Sequence, residues 1–510
     1  MTFDVHSTFG AQLPDGESTW INETADRLVE KFAAERERVG AQIPYIAHDG
    51  RYEENMAEVF PGWWVNGFWP GILWQMAVAT ACLDRTSGVN AGHATHGRAG
   101  NTTVDPPTAD ANTTADTNTA SNPHGSDSEP TPGMLFGRSE RVHVSDDPAD
   151  PKDLLANLRN ADQPGSLAHL PSCSFAFAAP AREIEETVLY PVLADYERVD
   201  HDLGFVWLLS GVADWRITGS PTARIHALHA ATMLAGRFNP VGRFIRAWNE
   251  PGREGWAIVD SLMNMPLLFW ASRETNDPRF AAIARMHADT MLRTIVRPDG
   301  SCNHIVQFDP ETGEFVGASA GQGYAEGSSW SRGQSWAIYG FALMYRHTGD
   351  RRYLDAACRV ARYFVEQVTV TDGLARLDFR QPDEPLYYDA IASCVAADGL
   401  LELARALKEY AERQSEERTT GTGETAAGGD STDEPASALT PDWCLANALT
   451  MLHAVDDRAC DWDADRDGLV QLCSVEYHDP ERIHIPIVYA DYFFLETVLR
   501  LKGIAADLWW

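Results

Sequence analysis

Basic residues are scarce in this chain of 510 residues: 41 Lys and Arg face 74 Asp and Glu, a formal net charge of −33. Nucleic acid and anionic membrane surfaces both require a basic face, so neither is an expected partner. A small anionic ligand is still compatible, because it responds mainly to charges within roughly 8–10 Å. No stretch approaches the roughly 20 apolar residues of a membrane-spanning helix. The start, Met1-Thr2-Phe3-Asp4-Val5-His6, lacks the basic residues and apolar run of a secretion signal. The eight cysteines are scattered without a CxxC pair, which reads as reduced thiols in a cytoplasmic chain. The 16 histidines show no HExxH or other metal-ligand spacing, so no metal and no other cofactor is expected.

What is present is ordinary for a globular protein, 44% hydrophobic and 23% charged, and long enough to bury a large core. Residues 88–150 and 411–440 stand apart, rich in Thr, Asp, Gly and other polar residues with an acidic excess. They read as disordered or loosely packed low-complexity insertions in one domain spanning 1–510. Elsewhere apolar residues recur at helical spacing and alternating β-type runs are nearly absent. Twelve helices are expected, near 18–38, 70–86, 180–197, 202–217, 221–237, 256–273, 278–296, 333–347, 351–369, 388–410, 440–456 and 490–503. Three connectors share one chemistry: Thr218-Gly219-Ser220-Pro221, Thr275-Asn276-Asp277-Pro278 and Thr348-Gly349-Asp350-Arg351. In each, a residue tolerant of left-handed backbone ends one helix, and Ser or Asp caps the next. Thr86-Ser87-Gly88 begins a fourth, which the first insertion interrupts. Repeating hairpins of this kind suggest an all-α (α/α)6 barrel, with an open helical solenoid as the alternative.

In a closed ring the polar and aromatic helix starts converge at one mouth. Asp202 sits at such a start and reads equally well as a helix cap. Asp260 lies inside the apolar run Trp256 to Leu268, where burial should raise its pKa toward the range a general acid needs. A nearby Asp202 charge should raise it further. Trp63, Trp64, Trp69, Trp248, Trp256, Trp330 and Trp336 are candidates for stacking on sugar rings, although each could equally fill core. Arg332, with Trp330 and Gln334 beside it, offers a fork for a carboxylate, and His304 a further donor. Asp463 to Gly468 matches half of a calcium loop, but Ser474 stands where Glu is required, so it reads as a solvated acidic loop.

The run from Gly321 to Gly340, GQGYAEGSSWSRGQSWAIYG, closely resembles the signature of the unsaturated glucuronyl hydrolases, glycoside hydrolase family 88. His201-Asp202-Leu203-Gly204-Phe205, Asp260 to Asn264 and Asp491-Tyr492-Phe493-Phe494 resemble further family blocks in the same order. The likeness spans roughly 18–86 and 180–505; the two insertions depart from it, as does Glu326-Gly327 where the family has Asp-Glu. It implies an (α/α)6 barrel that removes a 4,5-unsaturated uronic acid from the non-reducing end of lyase-generated oligosaccharides. Chondroitin, hyaluronan and heparin fragments are such substrates, and the reaction is hydration of the C4=C5 vinyl ether. Carried over by position, the resemblance makes Asp260 the acid/base and Asp202 the second essential carboxylate. His201, Trp69, Trp248, His304, Gln322, Trp330, Arg332 and Trp336 would form the sugar site. An unsaturated rhamnogalacturonyl hydrolase acting on pectin fragments is the alternative, and a non-catalytic carbohydrate-binding protein a remoter one. Oligomeric state is not legible.

Overall fold

The computed structural model describes residues 8–91, 163–420 and 439–509. Six helices form an inner ring: Phe68–Ala91, the run Leu203–Trp207 to Ala213–Thr218, Met265–Thr275, Ser331–Thr348, Ala390–Thr420 and Val488–Lys502. Each touches the next, and the last touches the first, so the ring is closed and not a solenoid. An outer helix backs each inner one: Ser172–Ile184, Pro221–Gly236, Pro278–Ile295, Arg351–Thr369, Pro441–Ala459 and Glu17–Val39. The sixth pair joins the last inner helix to the first outer one, so residues near the two ends of the chain complete the barrel. Inner helices are buried almost all round, as the run Ser331 to Tyr345 shows. Their uninterrupted apolar character follows from packing on both faces. Among the described residues no helix is long and apolar enough to cross a membrane.

The three connectors behave as their residues dictate. Gly219, Asn276 and Gly349 are left-handed, while Ser220, Asp277 and Asp350 accept the N–H of Ala223, Arg279 and Arg352 at the start of the next helix. Three expectations need correction. The fourth connector does not form, because helix continues through Thr86-Ser87-Gly88 to Ala91. Residues 411–420 belong to the Ala390–Thr420 helix, so the second insertion cannot begin at 411; residues 92–162 and 421–438 lie outside the described residues. A single helix over 256–273 is also wrong. Trp256–Ile258 is a strand, followed by a 3-10 turn Val259–Asn264 and only then by helix. That strand pairs with Ile305–Phe308, which pairs with Phe315–Ser319.

The Asp463 to Gly468 segment is anchored rather than solvated. The ammonium of Lys31 donates to the carbonyls of Asp463 (2.8 Å) and Arg466 (2.9 Å), and Asp467 is buried against Arg38. A side-chain cation therefore pins two carbonyls of this acidic loop.

Polar residues fill the far end of the inner ring, about two to four turns from the helix starts. Arg500 bonds Asp398 and Glu402, each at 2.6 Å, and Arg346 reaches Glu402 at 3.1 Å. Trp509 is buried there, stacked on Phe493 at 6.1 Å with its indole N–H on Glu496 (3.0 Å), while Ala506 N–H donates to Gln75.

Candidate active site

The opposite end of the ring carries the carboxylates. Asp202 stands one residue before its inner helix and Asp260 in the 3-10 turn that precedes the next. Asn264 ties the two segments together: its Nδ2 donates to Asp202 Oδ1 (2.9 Å) and its Oδ1 accepts from Phe205 N–H (3.0 Å). The approach requires Gly204, whose Cβ, if present, would lie 2.4 Å from Asn264 Cα. Buried His287 fixes the turn from behind. Its Nδ1 accepts from Ile245 N–H, so Nε2 carries the proton and donates to Ser261 Oγ (2.7 Å), which donates to the Ile258 carbonyl.

Burial pushes the Asp260 carboxyl up to about 7, against the pull of Arg332. Asp202 is raised well above the usual carboxylate range by burial and by the charges of Asp200 and Asp260, opposed by Asn264 and Arg237. The expected effect of Asp202 on Asp260 is thus not the cause of the latter's shift; desolvation is.

His304 faces the same turn, its Nε2 3.9 Å from Asp260 Oδ1, and its carbonyl accepts from Val259 N–H (3.0 Å). Burial lowers its pKa to about 4, so the ring is neutral at pH 7. Gly321 is needed here, since a Cβ would fall 2.1 Å from His304 Nδ1. Trp330 is layered between His304 (4.2 Å) and the Arg332 guanidinium (4.7 Å). Buried polar atoms lacking a partner are rare in folded proteins. Here Asp260 Oδ1, both ring nitrogens of His201, Trp330 Nε1 and both amide atoms of Gln334 are of that kind. A shallow cleft lined by Trp63, Trp64, Asp200, Asp202 and Trp207 among others opens at the mouth, and a second lies against His304 and Trp330.

Residues 199–417 match the family described as Glycosyl Hydrolase Family 88. The unsaturated glucuronyl hydrolase of Bacillus sp. (strain GL1) is 35% identical over 322 residues, 62% of this chain and 78% of that protein. The chain belongs to glycoside hydrolase family 88. An unsaturated chondroitin disaccharide hydrolase of Streptococcus pyogenes serotype M1 is 35% identical over 247 residues, 48% of this chain and 62% of that one. Among solved structures, the Bacillus sp. GL1 unsaturated glucuronyl hydrolase superposes with TM-score 0.62 at 25% identity, covering 96% of this chain and 99% of its own. A variant UGL described with dGlcA-Glc-Rha-Glc gives TM-score 0.64 at 26% identity with the same coverage. The barrel and the glycosidase class follow from this membership.

Not every residue expected at the family's sugar site faces it. Trp69 is 1% exposed with its N–H on the Gly40 carbonyl (3.0 Å), and Trp336, equally buried, packs edge-on against Phe205 and Phe493. Both are core, and half-buried Trp63 and Trp64 line the cleft instead. Arg332 offers no open fork: it is 1% exposed and spends its Nη atoms on Asp389 (2.9 Å) and the carbonyls of Ser474 and Val475. It acts on Asp260 through space. Gln322 bonds the same Val475 carbonyl with its amide (2.7 Å) and the His304 ring with its backbone N–H (3.1 Å). Trp248, half-buried, stands edge-on to His201 at 6.2 Å on the rim. Asn264 and His287 had no assigned role in the sequence, because their partners are remote in the chain. Asp200, His201 and Asp202 are the one group among the described residues crowded enough to suggest a metal ion. A buried guanidinium, Arg237, already supplies positive charge beside them.

Proposed function

We infer that this chain is a glycoside hydrolase that removes a 4,5-unsaturated glucuronic acid from the non-reducing end of lyase-generated glycosaminoglycan oligosaccharides. The observation that carries the reading is the pair of buried carboxyls, Asp260 and Asp202, joined through Asn264 at the mouth of a family 88 barrel. The C4=C5 bond of such a sugar adjoins the ring oxygen, which makes it a vinyl ether. Asp260, holding a proton up to about pH 7, delivers it to C4, and the ring oxygen stabilises the cation left at C5. The Asp260 carboxylate then takes a proton from water as the water oxygen bonds C5. The hemiketal so formed opens and releases the neighbouring sugar. Asp202, in its ionised form, accepts hydrogen bonds from the sugar hydroxyls. No nucleophile at the anomeric carbon is used, so the carboxyl-separation rule for retaining and inverting enzymes has no bearing here.

The test is turnover of an unsaturated chondroitin disaccharide, followed by loss of the double bond's ultraviolet absorbance. Reaction in deuterated water should place deuterium at C4, and heavy-oxygen water should label C5. Label at the anomeric carbon would overturn the hydration mechanism, and preference for an unsaturated rhamnogalacturonan disaccharide would overturn the substrate class. We also place the enzyme in the cytoplasm, supported by the buried thiols of Cys302, Cys358, Cys394, Cys444 and Cys473; cell fractionation tests that placement.

A further inference from the structure

Arg237 follows the last residue of the Pro221–Gly236 helix and is 5% exposed. Its Nε donates to the Arg246 carbonyl (3.0 Å), one Nη to Val199 (3.3 Å) and the other to Ala247 (3.0 Å). The Ala247 carbonyl also accepts the His201 N–H (3.1 Å), and Asn249 donates to the Val199 carbonyl from its own side chain (2.9 Å). Two segments are thereby clamped together: the one that ends in Asp202 and the one that leads into Trp248. Among the described residues Arg237 makes these carbonyl bonds and no carboxylate ion pair. A buried cation is costly unless nearby anions use its charge. The anions it acts on are Asp200 and Asp202.

We propose that Arg237 is a positioning residue of this reaction, strapping the Val199 to Asp202 segment to the Ala247–Trp248 segment and supplying the positive charge that the anionic form of Asp202 faces. The proposal rests on the function inferred above, in which Asp260 carries the proton and Asp202 the charge. The groups around Asp202 act in opposite directions. Asp200, whose Oδ1 accepts the Asp202 N–H (2.9 Å), and Asp260 on the adjacent turn disfavour its ionised form, whereas Arg237 and the amide of Asn264 favour it. His201 is held neutral by burial, Arg237 and His287. Glu250 acts on Asp200, and Tyr196 and Arg246 on Arg237. Two interacting carboxyls titrate as a pair, so the acid limb of the pH–rate profile reports their first ionisation.

The experiment compares kcat/KM against pH, with unsaturated chondroitin disaccharide, for wild type, Arg237→Met, Arg237→Lys and Asp200→Asn, alongside thermal melting. Arg237→Met should move the acid limb toward neutral by about one pH unit, roughly a tenfold loss on the acid side. Arg237→Lys should restore the limb but not the full kcat, because an ammonium cannot reach all three carbonyls. Asp200→Asn should move the limb the other way, to lower pH. A purely structural role would lower the melting temperature without displacing the limb, so an unmoved limb in Arg237→Met and Asp200→Asn overturns the proposal. If Arg237→Met does not fold, Arg237→Gln, which keeps donors for the carbonyls but removes the charge, takes its place and should move the limb the same way; an unmoved limb in that variant overturns the proposal. Failure of the wild type to consume the disaccharide would instead refute the function itself.

Discussion

A carboxyl that gives up its proton near pH 7 divides the working pH range in two. In the proposed reaction Asp260 must be protonated to donate to C4, so its contribution is present well below about 7, is halved near that value and is lost as pH rises through it. The expected profile of kcat/KM therefore falls on the alkaline side with a midpoint near 7. Asp260→Asn should lower turnover by roughly a thousandfold or more while substrate still binds, as isothermal calorimetry can record. His201, Asp202 and Asp260 were legible in the sequence because a short motif surrounds each. Arg332 was expected to offer its fork to the sugar, but its fork is taken by partners that lie 57 and 143 residues further along the chain, out of reach of local reading. The family resemblance, not the residues themselves, singled out Trp69 over Trp64, yet the 3-10 turn Trp64–Gly67 leaves Trp64 at the cleft and carries Trp69 into the core.

Helix ends and tight crossings govern the next level. Gly204→Ala would drive a methyl group into the backbone at Asn264, within 2.4 Å of its Cα. It should cost several degrees of melting temperature and, by displacing the Asn264 bridge, depress kcat at least tenfold more than any change in KM; circular dichroism melts and steady-state kinetics would show both. Asp350→Ala, by contrast, removes a cap on the Arg351–Thr369 helix and an exposed ion pair with Arg352, about 1–2 kcal/mol together, and should leave kcat/KM unaltered. Caps such as these were readable because their chemistry is confined to four consecutive residues. The strand Trp256–Ile258 was not: three residues are too few to show alternation, and its partner strand begins at Ile305. Lys31 marks the same limit, since nothing local to Asp463 announces the ammonium that bonds its carbonyl. A chelator should therefore leave the melting temperature unchanged, while Lys31→Met should lower it.

At the scale of the whole molecule, the closed ring was foreseeable from repeating hairpins, but what fills its far end was not. Arg500→Met would take the buried cation from Asp398, while Glu402 keeps Arg346 and Arg405, a loss of roughly 3–5 kcal/mol by analogy with other broken buried ion pairs. Denaturant melts should record that loss, while the protein that stays folded keeps its kcat/KM. Sealing by this network and by Trp509 also governs traffic. Among the described residues this end is packed with buried side chains, so a polysaccharide is not expected to thread through the barrel, and both fragments should back out along the path by which the substrate came in. The enzyme should accordingly take one sugar per encounter and let go, and the released keto acid should compete with fresh substrate at the mouth.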